Sequence, residues 1–217
     1  MLGDVLLITE KHKKAAKAIV EHAQKMDGDK IVIAVGGESG SGKSELGHEV
    51  AHLLKMQGTP AKIMHIDNYY KTSPQERNPW RKEHGAESIG YTEYDWETIN
   101  RNLAEFHADA DDATMPCVDL LTDQEDLLKT SFKGLRYMVI EGLYALQAEA
   151  DCRAFIDLTY HETKKAQLLR GKENMDQWRL QVLEQEHQVV QSLRPKADLI
   201  VTPEFDVEVA KNNQDSL

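Results

Sequence analysis

Two hydrophobic rhythms alternate along this chain. Short apolar-rich runs stand at 31–36, Ala61 to Ile66, Leu135 to Ile140, Ala154 to Leu158 and Ala197 to Val201. Runs of that length predict strands buried on both faces. Between them, apolar residues recur at helical spacing. Ala15, Ile19, Ala23 and Met26 mark an opening helix that Thr9 could cap. Leu46, Val50, Leu53 and Leu54 mark a second, ending near Gln57, and Trp96, Ile99, Leu103 and Phe106 a third. A long helical stretch, roughly 161–193, is expected to break near Gly171. Asp27-Gly28-Asp29 and Gly58-Thr59-Pro60 punctuate the early elements. Strands alternating with helices predict an α/β fold of three layers, its parallel sheet covered on both faces. In such a sheet, ligands collect at the carboxyl ends of the strands. Residues 67–92, polar and aromatic with Pro74 and Pro79, read as an irregular loop long enough to have a task. No repeat or linker divides the chain, so one domain is expected over 1–217, with a frayed polar tail at 210–217.

The first strand runs into Gly37-Glu38-Ser39-Gly40-Ser41-Gly42-Lys43-Ser44, which fits G-x-x-x-x-G-K-[ST]. Strand, glycine-rich turn and helix are the context that a phosphate-binding loop requires. Glycines let backbone N–H groups turn inward, and the helix N-terminus adds the positive end of its dipole. Residues 37–44 are thus expected to cradle the terminal phosphates of a nucleotide. Lys43 would neutralise charge there and the Ser44 hydroxyl would ligate Mg²⁺.

Two acids follow apolar strands at the same expected edge. Asp67 ends the second strand in Met64-His65-Ile66-Asp67-Asn68-Tyr69-Tyr70, and Glu141 ends Tyr137-Met138-Val139-Ile140. Either acid could simply cap a following helix. Beside a phosphate loop they also suit phosphoryl transfer, Glu141 in the metal shell, directly or through water, and Asp67 as the base for an attacking hydroxyl.

A net charge of −11 argues against general binding to nucleic acid or membrane surfaces. Within that acidic background, Lys164, Lys165, Arg170, Lys172 and Arg179 gather in one stretch. They read either as a solvated helix face paired with Glu162, Glu173 and Glu184, or as a lid over 161–180 whose Arg170 reaches the transferring phosphoryl. The acids Asp109, Asp111 and Asp112 lack calcium-loop spacing and read as a solvated turn. Trp80, Tyr91 and Tyr94 could stack a base, though loop aromatics more often pin their own loop. His48 and His52 lack the intervening Glu of a zinc site. Cys117 and Cys152 match no metal or redox spacing and read as reduced, buried residues of a cytoplasmic protein. The run Val5 to Ile8 is too short for a signal peptide or membrane span.

Three segments, Gly36 to Ser44, Ile66-Asp67-Asn68-Tyr69-Tyr70-Lys71 and Val139-Ile140-Glu141-Gly142-Leu143-Tyr144-Ala145-Leu146, resemble those of the uridine kinase and phosphoribulokinase family of P-loop phosphotransferases. Weaker echoes are Asp95-Trp96-Glu97, Met115-Pro116, Leu168-Leu169-Arg170 and Ala197 to Val201. The resemblance implies a parallel core of about five strands, a short helical lid and MgATP as donor. It implies Asp67 as base, Ser44 and Glu141 at Mg²⁺ and Arg170 from the lid, with Lys43 in the catalytic set. Tyr69, Tyr91 and Arg179 are the candidate acceptor contacts. Ser88 to Asp95 keeps only the final Asp of the segment that holds ribose in uridine kinases. Pro116-Cys117-Val118-Asp119 stands where they carry a Tyr and, further on, a His. The expected activity is transfer to the 5′-hydroxyl of uridine or cytidine, a step of nucleoside salvage. Pantothenate or a sugar phosphate remain alternative acceptors, and a nucleotide-switched NTPase is the alternative of a different class. The partner implied is a small-molecule acceptor, with a homo-oligomer left open.

Overall fold

A computed structural model describes residues 5–163 and 176–211. Helix α1 (Glu10–Ala23) precedes β1 (Ile31–Gly37), α2 (Lys43–Met56) and β2 (Ala61–His65). Then come α3 (Pro74–His84), α4 (Trp96–His107), β3 (Ala113–Asp119), β4 (Gln124–Thr130), β5 (Tyr137–Gly142) and β6 (Cys152–Ile156). Helix α5 (Gln177–Gln191), β7 (Leu199–Val201) and β8 (Val207–Val209) close the order. The main sheet has six strands in the order β2-β5-β1-β6-β7-β8. Its first five are mutually parallel, as the apolar runs predict, and β8 adds an antiparallel edge.

Every residue of β1 is buried, and the period of two in a strand sends alternate side chains to opposite faces. Ile31, Ile33 and Val35 pack with Ile19 and Val20 of α1 and with Leu46, Val50 and Leu54 of α2. Val32 and Ala34 join Ile99, Leu103 and Phe106 of α4 and Val190 of α5 on the other face. Full burial of each such side chain contributes about 1.5–3 kcal/mol. The same alternation along β5 sends Tyr137 and Val139 to the α2 face and Met138 and Ile140 to the α4 face. Glu141 therefore follows on the α2 side.

One expectation needs correction. The stretch 67–92 is not an irregular loop, because it contains α3 between short 3₁₀ turns. Pro74 occupies the first turn, where its missing N–H costs nothing, and the Ser73 hydroxyl accepts from the Glu76 N–H at 3.3 Å. The helix lacks an apolar stripe and is held instead by the buried side chain of Arg81. Residues 113–130 form a separate antiparallel hairpin, β3–β4, whose outer strand is exposed and so carries no apolar run. The helix expected at 161–193 is seen as α5, capped by the Asp176 carboxylate at the Arg179 N–H (2.7 Å). Residues 164–175 lie outside the described residues, and so does most of the expected tail.

The acidic turn is tied down by side chains. Asp109 pairs with Lys30, Asp111 accepts from the Ser131 hydroxyl at 2.6 Å, and Asp112 pairs with Lys129 at 3.1 Å. Among the described residues no group of His, Cys, Asp and Glu is arranged to hold a metal on its own, and no helix is long and apolar enough to cross a membrane. Cys152 is buried, and burial pushes its thiol up to about 12, whereas Cys117, expected buried, is half-buried on the hairpin.

Candidate active site

The phosphate loop joins β1 to α2 at the carboxyl edge of the sheet. Gly42 sits at φ 90°, and a Cβ there would lie 2.8 Å from His12 Nε2, so glycine answers both the backbone and the space. Helix α2 begins at Lys43, immediately after that turn. The Ser44 hydroxyl donates to Glu141 Oε2 at 3.0 Å, while the other carboxylate oxygen meets His65 Nδ1 at 2.5 Å. This triad follows from register. β2 pairs with β5 so that His65 faces Glu141, and both lie on the α2 side of the sheet. Burial opposes the Glu141 charge, yet His65, Lys43 and the Ser44 hydrogen bond outweigh it and hold the carboxyl below its usual range. An ionised Glu141 fixes the His65 proton on Nδ1. Gly142, at φ 151°, lets the chain turn away at once, since a Cβ there would lie 2.2 Å from Ile66 Cγ1. Glu141 is therefore not a helix cap. Its pairing with the Ser44 hydroxyl next to a phosphate loop is a donor set that fits a hard divalent cation.

Asp67 lies in the short turn Ile66–Tyr69 that follows β2. Backbone bonds Asp95 N–H to Tyr69 O (2.8 Å) and Lys71 N–H to Glu93 O (2.9 Å) fasten that turn to the start of α4. The Tyr94 hydroxyl donates to Asp67 Oδ1 at 3.2 Å, and burial raises the Tyr94 pKa well above the ordinary phenol value, so the phenol keeps its proton. Asp67 and Ser39 of the loop open into one cleft of about 520 Å³. Its far walls are Tyr70, Arg77, Asn78 and Arg81 on one side and Trp178, Arg179 and Glu186 of α5 on the other.

These walls are braced by charge. Arg81 donates from Nε and Nη2 to the two oxygens of Glu93, at 2.6 and 2.9 Å, and from Nη1 to Glu186 Oε1 at 3.1 Å. Burial disfavours the guanidinium charge, and the two carboxylates outweigh it, so Arg81 stays protonated. The Arg77 guanidinium lies 3.2 Å from the centroid of the Tyr70 ring, which in turn packs on Tyr94 at 4.1 Å. The Trp178 indole N–H reaches Asn78 Oδ1 at 2.7 Å and joins α5 to α3 at the rim.

Of the residues expected from sequence, Lys43, Ser44 and Glu141 meet at the loop, and Asp67 and Arg179 meet at the cleft. Tyr69 points into the core, its hydroxyl on Asn102 Oδ1 at 2.8 Å, while its neighbour Tyr70 lines the cleft. Tyr91 bonds Ser192 Oγ at 3.0 Å and packs on Tyr144, away from the cleft lining. Trp80 stacks on His84. Arg170 lies outside the described residues. Sequence reading missed His65, Arg77, Arg81 and Glu186. The strand register could have found His65, whereas no local spacing links Arg81 to acids 12 and 105 residues away.

A bifunctional alpha-galactosidase/sucrose kinase of Mediterraneibacter gnavus is 27% identical over 87% of this chain, which spans 22% of that protein. Among solved structures, a possible uridine kinase from Bacillus stearothermophilus superposes with a TM-score of 0.59 at 16% identity, covering 86% of this chain and 96% of its own. D-glycerate 3-kinase from Cryptococcus neoformans gives 0.59 at 14% identity, with coverages of 93% and 98%. Phosphoribulokinase from Rhodobacter spheroides gives 0.60 at 11%, with 80% and 69%. These likenesses establish the fold. Residues 32–168, more than half of the sequence, match the family model described as Phosphoribulokinase / Uridine kinase family, and they include the loop, Asp67 and Glu141. On that match the chain belongs to the phosphoribulokinase / uridine kinase family.

Proposed function

We propose that the chain transfers the γ-phosphoryl group of MgATP to a hydroxyl of a small polyhydroxy metabolite of the carbohydrate type. The observation that carries the reading is the shared cleft, in which Asp67 and Ser39 of the phosphate loop face the same volume of about 520 Å³. A volume of that size suits a small ligand. Residues 37–44 would hold the triphosphate, with Lys43 opposite its negative charge. Ser44 and Glu141 would hold Mg²⁺, which neutralises charge on the transferring group when bound. Asp67 would orient the acceptor hydroxyl and take its proton, its carboxylate held in place by the Tyr94 hydroxyl at 3.2 Å.

The choice of acceptor rests on the walls. Asp176, Glu186, Arg77, Arg179 and Asn78 bring carboxylates, guanidinium groups and an amide to the cleft, and the bonding capacity left beside their own pairings suits neighbouring hydroxyls. The aromatics expected to stack a nucleobase, Trp80, Tyr91 and Tyr94, are engaged elsewhere. The relationship to a protein named for sucrose kinase activity points the same way. Uridine and cytidine are supported by the family match and the likeness to a possible uridine kinase rather than by the walls of the cleft.

A coupled ADP-release assay with sucrose, fructose, glycerate, ribulose 5-phosphate, uridine and cytidine tests both levels. Turnover that depends on one of the sugars is the expected result. Turnover best with a pyrimidine nucleoside overturns the acceptor class. No acceptor above background, with hydrolysis unchanged in Asp67→Asn, overturns transfer and leaves an NTPase.

A further inference from the structure

The phosphate loop carries one side chain that the chemistry above does not use. Glu38, the first variable position of the loop, is 2% exposed. Its carboxylate takes hydrogen bonds from outside the loop. The Tyr160 N–H donates to Oε2 at 2.7 Å, and Oε1 receives both His187 Nδ1 and Gln191 Nε2 of α5, each at 2.7 Å. The next residue adds a weaker tie, with Ser39 O accepting from the Thr163 hydroxyl at 3.3 Å. A carboxylate bonded in this way is displaced only at the cost of leaving a buried charge short of partners.

The other half of α5 belongs to the acceptor cleft. Trp178, Arg179, Val182 and Glu186 line it, and Trp178 and Glu186 bind α3 through Asn78 (2.7 Å) and Arg81 (3.1 Å). From Trp178 to His187 the helix runs about 13 Å at roughly 1.5 Å per residue. One rigid bar is thus gripped at one end by the loop that would hold the donor and presents its other end to the acceptor. Nothing in α5 itself, which has neither Gly nor Pro between Gln177 and Gln191, offers a hinge between the two ends.

We propose that Glu38 is a positioning residue that fastens the phosphate loop to α5, so that nucleotide binding sets the acceptor wall. The inference rests on the kinase reading, and its deciding measurement needs no acceptor. Amide hydrogen exchange across 177–191 is followed with and without the Mg²⁺ complex of adenylyl imidodiphosphate, in the wild type and in two variants. Glu38→Gln keeps the shape of the side chain but removes one acceptor oxygen. His187→Phe removes the donor from the helix side and leaves the loop sequence intact. Linked sites typically couple about 5- to 150-fold. The expected result is that nucleotide slows exchange in α5 within that range in the wild type. In both variants the slowing falls to less than about twofold, and the acceptor KM rises more than the nucleotide KM.

The proposal is overturned if nucleotide leaves α5 exchange unchanged in the wild type, or if both variants retain the full effect. Should Glu38→Gln fail to fold, His187→Phe alone decides. Failure of the kinase reading would be seen in the acceptor panel, where wild-type protein phosphorylates nothing. Failure of the coupling would be seen in exchange alone.

Discussion

Around Glu141 the scaffold is apolar and closely fitted, whereas around Asp67 it is charged and aromatic. The proposed donor side rests on β1, β5 and α2, whose side chains fill one face of the sheet with aliphatic groups. Its polar members, Ser44, His65 and Glu141, arrive there through strand register and one sharp turn. The proposed acceptor side rests on α3 and α5, tied by Arg81 to Glu186 and Glu93, with the Tyr70–Tyr94 pair beside them. Aliphatic packing is non-directional and tolerates drift in sequence provided volume is kept. Ion pairs and aromatic stacks demand particular partners.

The comparison is most severely tested at the two chemical groups. Lys43→Ala and Asp67→Asn should each lower kcat/KM by about 10²–10⁴-fold, the scale of lost charge stabilisation or base catalysis. Affinity for a nucleotide analogue, measured by calorimetry, should fall mainly in Lys43→Ala. Equal loss of binding in both would erase the distinction between the halves. Next in size, Arg81→Met should destabilise the fold by about 3–5 kcal/mol in urea, because Glu93 would be left buried without its cation and Glu186 with the more distant Arg179, at 3.9 Å. A smaller loss would mean that the acceptor wall is not held by charge. On the donor side, Gly142→Ala forces a left-handed backbone onto alanine and meets Ile66, and about 1–3 kcal/mol of stability should be lost.

The smallest effect belongs to Asp95, which caps α4 through the Thr98 N–H at 3.0 Å. Asp95→Ala should cost about 1 kcal/mol. Hydrogen bonding from Thr98, from its side chain first and its N–H second, holds the Asp95 carboxyl below the usual aspartate value. A depressed acid contributes its stability above its unfolded value, near pH 4, and loses it as pH falls through the lower folded value. Unfolding curves of wild type and Asp95→Ala should therefore converge as the solution is acidified below about pH 4.

The same contrast explains what could be read in advance. Strands β1 and β5 announce themselves because burial on both faces demands unbroken apolar runs. The loop and Glu141 follow from their places after those runs, and Asp67 from its place after the shorter run of β2. Helix α3 escaped notice because its stability comes from Arg81 bonding to Glu93 and Glu186, and no periodicity encodes a pairing between distant segments. The hairpin β3–β4 escaped for the opposite reason, since an exposed outer strand has no hydrophobic pattern to leave. His65 was visible in principle, because a strand of known register assigns its neighbours. Tyr69 and Tyr70 could not be told apart until the turn after β2 decided which ring faces the core and which faces the cleft.

The unequal sulfurs give an experimental handle. With the Cys152 thiol held protonated by burial, a maleimide at neutral pH should modify Cys117 alone, without any engineered cysteine. The adjacent Val118 N–H is bonded to Asn68 Oδ1 at 3.2 Å, one residue from Asp67. A fluorophore on that natural attachment point would sit beside the acceptor-side turn and could report, by its emission, when that turn rearranges.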